Sequence, residues 1–166
     1  MSEEFESSKA SGQHFQLSKM VGNWEGITKT WFEPNDLADE SVIRGTMRLI
    51  LDGRFIIHEY KATLGGKVLE GLAIYGYHLD LGIYQSAWID SFHNGTALMF
   101  SEGQKDQESI NMLGSYAYVT PELVQKWGWR TEIKKTTEDE MIITAYNVSP
   151  QGHEDKATET IYRRVK

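Results

Sequence analysis

Residues 20–32 read MVGNWEGITKTWF and place one tryptophan, Trp24, between two glycines, Gly22 and Gly26. After Gly22 polar and apolar residues begin to alternate, and this period of two continues through most of the chain. Such alternation is typical of β-strands that bury one face. The stretch therefore predicts that a first strand begins here, with Gly26 allowing a bend or the close approach of a neighbouring strand.

Nine further strand-like runs follow the first, at residues 41–51, 54–64, 67–79, 83–92, 96–104, 109–119, 126–136, 140–149 and 156–165. Turn signals separate them, and Gly65-Gly66 and Asn94-Gly95 supply the positive φ angles of tight hairpins. Strands joined by hairpins without long helices between them favour an antiparallel meander. Closure leaves no exposed edge, so we predict an all-β fold, an antiparallel up-and-down β-barrel of about ten strands. A two-sheet sandwich is the alternative.

The segments outside these runs predict the domain boundaries. Residues 1–13 (MSEEFESSKASGQ) are acidic and polar, which indicates a disordered N-terminal tail and is the opposite of a signal peptide. Residues 14–22 (HFQLSKMVG) predict a short helical segment, and residues 14–166 form a single barrel domain. Residues 38–41 (ADES), shortly after Pro34, predict a flexible loop over one end of the barrel.

Composition excludes several classes of function. The 166 residues carry a net charge of −7, which disfavours nucleic acid and anionic membranes as partners. The absence of cysteine excludes disulfides, thiolate nucleophiles and cysteine-held metal centres. No apolar run reaches the roughly 18 residues of a membrane span. Together with the N-terminal composition, these features predict a cytoplasmic protein.

Several strands carry faces on which aromatic and polar residues are mixed. In residues 83–92, Tyr84 and Trp88 share a face with Asp90, and in residues 54–64, His58 and Tyr60 share one. Apolar walls with a few polar groups are typical of ligand cavities. The alternative is that the Tyr and Trp side chains lie at barrel rims or in oligomer contacts. The predicted cavity residues are His58, Tyr60, Tyr75, Tyr84, Trp88, Asp90, Glu102, Trp129 and Arg130.

Motifs for catalysis or metal binding are absent from the sequence. It has no nucleophile elbow, phosphate-binding loop or dinucleotide fingerprint. His58-Glu59 begins a zincin motif, but Ala62 stands where the second histidine would be, so no metal site is expected. If they are buried, His58, Asp90 or Glu102 could act as an acid or base. The favoured interpretation is that Asp90 and Glu102 cap turns or pair with Arg at a rim.

The opening stretch also resembles a known group of barrels. Gly22-Asn23-Trp24 is similar to the Gly-x-Trp signature of the calycin barrels, which include lipocalins, fatty-acid-binding proteins and nitrobindins. In lipocalins this Trp plugs one end of the barrel and a basic residue of the last strand packs across it. Here that basic residue would be Arg163 or Arg164. With LDGRF (51–55), EGLAIYGY (70–77), SAWID (86–90), SEG (101–103) and ETIYRR (159–164), the chain resembles the domain of unknown function family 1579 from about residue 17 onward. The family's usual opening LVG is MVG here, with Met20.

The resemblance implies a calycin-like barrel of unassigned activity. Nitrobindins of this group bind haem through a late histidine, but the late histidine here, His153, lies in the polar segment SPQGHED, so we expect no cofactor. The favoured function is binding of a small, partly apolar ligand in the barrel interior. A cofactor-independent isomerase or hydrolase acting on a small hydrophobic substrate is the alternative, and a homodimeric interaction protein is the second alternative.

Overall fold

The structure is a computed structural model that describes residues 2–106 and 108–166. These residues form two helices and ten strands, with the following bounds: α1 Glu3–Ser11, α2 Gln13–Ser18, β1 Gly22–Glu33, β2 Asp36–Ile50, β3 Phe55–Leu64, β4 Lys67–His78, β5 Ile83–Asp90, β6 Met99–Lys105, β7 Ser109–Val119, β8 Val124–Thr137, β9 Glu140–Val148 and β10 Glu154–Arg164. Neither described helix has the length and apolar character needed to cross a membrane.

The strands form one closed sheet in which each pairs antiparallel with its neighbours in sequence. The barrel closes between β1 and β10, where the pairing runs from Trp24 opposite Arg164 to Thr30 opposite Thr158. This arrangement confirms the predicted ten-stranded up-and-down barrel and excludes the sandwich. Because every strand has a partner on both sides, no sheet edge is left unpaired.

The barrel has two different ends. At the helical end, α1 and α2 precede β1, and the β2–β3, β4–β5, β6–β7 and β8–β9 turns lie beside them. At the loop end lie the other turns, including the longest connection, residues 91–98 between β5 and β6. The largest fully buried side chains all belong to the helical half: Trp24, Met47, Ile56, Met112, Met141 and Tyr162. This half is therefore a packed core.

The N-terminal segment differs from the predicted disordered tail. Ser2 caps α1, with the Phe5 amide donating to Ser2 Oγ at 3.4 Å. Phe5 is buried, and the Arg54 guanidinium lies 4.3 Å from its ring centroid. The acidic composition favoured a disordered tail because Phe5, the single aromatic residue that anchors α1, lies among polar neighbours in the sequence. Met1 lies outside the described residues.

The expected flexible loop at residues 38–41 is wrong. These residues belong to β2, which begins at Asp36 after a tight turn in which Asn35 has a φ of 62°. Ser41 Oγ donates to the Thr63 carbonyl at 2.6 Å, and the Gly65 amide donates to Asp39 Oδ1 at 3.0 Å. Polar side chains mark this part of β2 because it extends beyond the core at the loop end, where both faces of the strand meet water.

Candidate ligand-binding site

Trp24 closes the helical end of the barrel. It is 1% exposed, and its Nε1 donates to the Met20 carbonyl at 2.9 Å. The Arg164 guanidinium stacks over the indole, 4.3 Å from the ring centroid, and donates to the Lys19 and Val21 carbonyls. Arg163, the other predicted partner, points outward with its side chain 79% exposed. One end of the interior is therefore sealed, and any opening lies at the loop end.

Above the packed core the barrel encloses a cavity of about 90 Å³. A buried water needs roughly 10–15 Å³ of such space, so the cavity suits a molecule of about six to nine non-hydrogen atoms. Its aromatic wall consists of His58, Tyr60, Tyr75, Trp88, His93, Trp129 and Tyr162. Its hydroxyl-bearing wall consists of Thr28, Thr30, Ser86, Ser101, Thr131, Thr158 and Thr160. Ile43, Leu69, Ala73, Ile143 and Ala145 complete the lining.

His58 projects from β3 into the floor of the cavity and is 3% exposed. Its Nε2 lies 3.1 Å from the Tyr162 hydroxyl. That hydroxyl has no other acceptor in the described part of the chain, so we assign its proton to this bond and the imidazole proton to Nδ1. Burial lowers the pKa of His58 to about 3, and the ring is therefore neutral at pH 7. Nδ1 is buried and has no partner within residues 2–106 and 108–166.

Two indoles and a phenol form the side of the cavity. Trp88 and Trp129 stack with ring centroids 5.2 Å apart and an interplanar angle of 24°. Trp88 Nε1 donates to the Tyr60 hydroxyl at 2.8 Å. Burial, followed by the charge of Asp90, raises the pKa of Tyr60, and burial raises that of Tyr75. Both phenols therefore stay protonated and can donate hydrogen bonds.

Asp90 and His93 form a hydrogen-bonded pair at the loop end. Asp90 Oδ1 accepts from the amides of Phe92, His93 and Asn94, which folds the start of the β5–β6 loop around the carboxylate. Asp90 Oδ2 lies 2.5 Å from His93 Nδ1. Burial alone would raise the pKa of Asp90, but the bond and charge of His93, with the backbone amides, outweigh it and lower that pKa. The carboxylate is therefore ionised.

His93 faces the cavity from this loop. Its ring centroid lies 5.6 Å from that of Trp88 and 5.7 Å from that of Trp129. With Nδ1 held by Asp90, the other ring nitrogen, Nε2, is buried and lacks a hydrogen-bond partner among the residues described. A carboxylate that accepts from one imidazole nitrogen fixes the ring orientation and, in the neutral ring, leaves the other nitrogen as an acceptor.

The structure brings together five of the predicted cavity residues: His58, Tyr60, Tyr75, Trp88 and Trp129. Asp90 lies directly behind His93 and not in the wall. Tyr84 points inward but lies at the helical end, where its hydroxyl donates to Gln13 Oε1 at 2.5 Å. Burial, followed by the charge of Tyr77, raises its pKa to about 12.

Glu102 and Arg130 are not in the cavity, which corrects their inclusion among the predicted residues. Glu102 lies on the outer face of β6 and accepts from Gln85 Nε2 at 3.2 Å. Arg130 lies on the outer face of β8, where it donates to both carboxylate oxygens of Glu154 and covers the Tyr146 ring. Their neighbours Ser101 and Trp129 line the cavity, and successive strand residues point to opposite faces. Strand parity therefore excludes both residues.

Sequence reasoning missed His93, Tyr162 and the hydroxyl wall. His93 lies between the strand-like runs 83–92 and 96–104, in the turn that contains Asn94-Gly95, and this turn brings it into the cavity wall. The spacing Asp90-x-x-His93 at a strand end is a signal that could have found the pair, because Asp at such a position accepts from the amides that follow it. No group of three or more His, Asp or Glu side chains able to hold a metal occurs in the described chain.

The fold and the site define this chain as a closed ten-stranded antiparallel β-barrel protein with an internal polar–aromatic cavity. It belongs to the family described as "Protein of unknown function (DUF1579)", whose model matches residues 9–164. No curated protein matches its sequence.

Among solved structures, Rv2717c from M. tuberculosis is similar in shape, with a TM-score of 0.60 at 11% identity, over 92% of this chain and 96% of that one. A protein with unknown function from the DUF3598 family (Npun_R4044) of Nostoc punctiforme PCC 73102 gives a TM-score of only 0.26 at 8% identity, over 92% of this chain and 99% of that one. The first similarity supports the fold alone.

Proposed function

We propose that the barrel interior binds a small, neutral, partly apolar molecule. The observation that carries this proposal is the pair of buried ring nitrogens, His58 Nδ1 and His93 Nε2, that lack hydrogen-bond partners in the described residues. Leaving a buried polar group unpaired costs about 1–3 kcal/mol, and native proteins rarely do so without a reason. A bound molecule with polar groups would satisfy both nitrogens.

The lining also indicates the charge of the ligand. None of the described side chains in the cavity wall is an Asp, Glu, Lys or Arg. His58 is neutral at pH 7 because burial holds its pKa at about 3. A charged ligand would therefore be desolvated without an Asp, Glu, Lys or Arg side chain in contact with it, which is strongly unfavourable. Hydroxyls and aromatic faces instead suit a neutral molecule with one or two hydrogen-bonding groups.

Native mass spectrometry of freshly purified protein, compared with the same sample denatured, tests the proposal. We expect a reproducible extra mass in the native sample or, after exchange into buffer, saturable binding of small ring compounds. Ala145→Leu places three additional carbons in the cavity and should abolish binding. The matched control Ala117→Leu adds the same atoms at an exposed position on β7 and should leave binding unchanged. Equal binding by the two variants would contradict the cavity as the site.

Cofactor-independent acid–base catalysis in the same cavity is a second candidate function. The Asp90–His93 pair supports it, because a carboxylate stabilises the imidazolium that forms when His93 accepts a proton. His58 is a poor base here since its pKa is about 3. Turnover of small ketones or esters that is lost in His93→Gln but kept in His153→Gln would support this function. Equal turnover by both variants would exclude His93 as the base.

Homodimerisation is a third proposal, supported by exposed apolar side chains on the outside of the barrel. Phe100 is 69% exposed and Leu113 is 54% exposed on neighbouring strands. Light scattering at high protein concentration tests it, with Phe100→Ser expected to shift a dimer toward monomer. A wild-type monomer at every concentration would contradict it.

We propose that this barrel is related to the calycins. This relationship is supported by the Gly22-x-Trp24 pattern, by the indole at the closed end and by the stacking of Arg164 from the last strand.

A further inference from the structure

We infer that the molecule bound in the cavity belongs to the phenol class, a single small ring bearing a hydroxyl that donates a hydrogen bond to His93 Nε2. This inference rests on the proposed ligand-binding function and names the chemistry of its ligand.

The contact with Asp90 determines whether His93 Nε2 donates or accepts a hydrogen bond. Asp90 is ionised and acceptor-only, so the 2.5 Å contact with Nδ1 requires a proton on that nitrogen. In the neutral form of the ring this is the one N–H, and Nε2 carries a lone pair. In that form Nε2 accepts, and its partner is a donor. A ligand that offers only acceptors, such as a ketone or an ether, cannot satisfy this nitrogen.

The hydrogen-bond donors beside His93 already have acceptors within the protein. Trp88 Nε1, the indole donor beside His93, is already committed to the Tyr60 hydroxyl at 2.8 Å. The Asn94 side-chain amide donates to the Trp88 carbonyl at 3.4 Å. No described residue donates to Nε2. The donor is therefore supplied by a molecule in the cavity, and a ligand hydroxyl takes this role when it displaces water.

The rings around His93 and the cavity volume indicate the shape and size of the ligand. The stacked pair Trp88 and Trp129 lies beside His93, with all three ring centroids within 5.7 Å of one another. Aromatic faces of this kind favour an aromatic partner, which gains about 0.5–1.5 kcal/mol beyond its area burial. The cavity volume of about 90 Å³ limits the ligand to roughly six to nine non-hydrogen atoms. Phenol has seven.

The cavity wall also indicates the charge of the bound phenol. A hydroxyl that donates to His93 Nε2 binds as the neutral phenol, in agreement with a wall that contains no Asp, Glu, Lys or Arg among the described residues. The Asp90 carboxylate, bonded to Nδ1, holds the ring in place for this contact.

Phenol and toluene form the matched probe pair for a test, because they have nearly the same shape and only phenol can donate. Both are titrated against wild type, His93→Phe and the exposed control His153→Phe, with binding followed by amide NMR shifts of cavity residues. We expect the ratio of phenol to toluene affinity to fall about tenfold in His93→Phe and to stay at the wild-type value in His153→Phe.

A second readout does not depend on a folded variant. In wild type, the imidazole nitrogen resonances report the Nε2 environment directly, and phenol should shift the His93 Nε2 resonance while toluene should not. An unchanged affinity ratio together with an unmoved Nε2 resonance would overturn the inference and leave the binding function intact. Failure of both probes to bind at all would contradict the proposed function as well, because a cavity of this size should accept either ring.

Discussion

At the scale of the residue, the arrangement Gly22-Asn23-Trp24-Glu25-Gly26 is explained by what surrounds the indole. Gly22 has a φ of 148°, and a Cβ at this position would collide with the Arg164 guanidinium. The glycine therefore leaves the space in which Arg164 reaches the backbone carbonyls of Lys19 and Val21 while covering Trp24. The motif is therefore explained by the contact between Trp24 on the first strand and Arg164 on the last.

Arg164→Met should destabilise the protein by about 1–3 kcal/mol, because it leaves partly buried carbonyls without donors and removes the cation–π contact. Arg163→Met is the matched control, since the Arg163 side chain is 79% exposed and a surface change of this kind shifts stability by at most about 0.5 kcal/mol. Urea unfolding of both variants gives the comparison. Equal losses would show that the stacking over Trp24 contributes nothing to stability.

At the scale of the element, the β1–β10 pair closes the barrel, and Gly26 sits where the two strands approach. A Cβ on Gly26 would collide with the carbonyl oxygen of Ile161 on β10, opposite Ile27 and next to Tyr162. The glycine is thus required by backbone proximity, as expected for an isolated glycine in a strand.

Gly26→Ala should cost about 1–3 kcal/mol, because the added methyl group must push β10 away from β1. Faster amide exchange along β1 and β10 than along β5 and β6 should accompany the loss. Lys29→Ala, at a half-buried position of the same strand where the side chain pairs with Glu40, is the control. The explanation fails if Gly26→Ala is as stable as wild type.

The helix α1 is held to the barrel mainly by one buried side chain. Phe5 is 4% exposed and packs edge-on against His14 with ring centroids 5.0 Å apart. Phe5→Ala should therefore release α1, raising amide exchange across residues 3–11 while the strands keep their protection. Phe15→Ala, at a position that is 39% exposed, should leave exchange of α1 unchanged. Uniform loss of protection throughout the barrel would indicate that α1 is part of one cooperative unit.

At the scale of the whole molecule, the interior is a polar chamber above an apolar core. Across the closing pair of strands, Thr160 Oγ1 donates to Thr28 Oγ1 at 2.9 Å, and His58 and Tyr162 meet from residues 104 positions apart. This interior polarity couples global stability to pH through His58, whose pKa burial lowers from 6.5 to about 3.

Stability should fall as the pH drops below 6.5, because the unfolded chain binds a proton at His58 that the folded protein excludes down to about pH 3. Between pH 6.5 and 5, above the range where carboxylates titrate, this group accounts for about 1–2 kcal/mol. Unfolding free energies of His58→Gln should show a correspondingly shallower decline, and the control His153→Gln should follow wild type. Parallel curves for all three proteins would contradict the assignment.

The order and number of the strands could be predicted from the sequence because hairpin turns and period-two alternation are local properties. Ten strand-like runs correspond one to one with β1–β10, and closure followed from the cost of open edges. Five of the nine predicted cavity residues line the cavity for a similar reason: mixed aromatic and polar faces are visible along a single strand. Arg130 was misplaced because it adjoins Trp129, and two neighbours of one strand cannot share a face. Glu102 was misplaced because the inward residue of its strand is the neighbouring Ser101.

Composition, alternation and turn chemistry are enough to specify an acidic, cysteine-free barrel of about ten strands with Trp24 at the start of its first strand. Three features become visible only in the folded barrel: Arg164 and not Arg163 covers the indole, Phe5 anchors α1, and the turn residue His93 is part of the cavity wall. The difference lies in the distance along the chain over which each interaction acts. Alternation and turn chemistry act between residues a few positions apart, whereas the site is assembled from side chains that meet only once the barrel has closed.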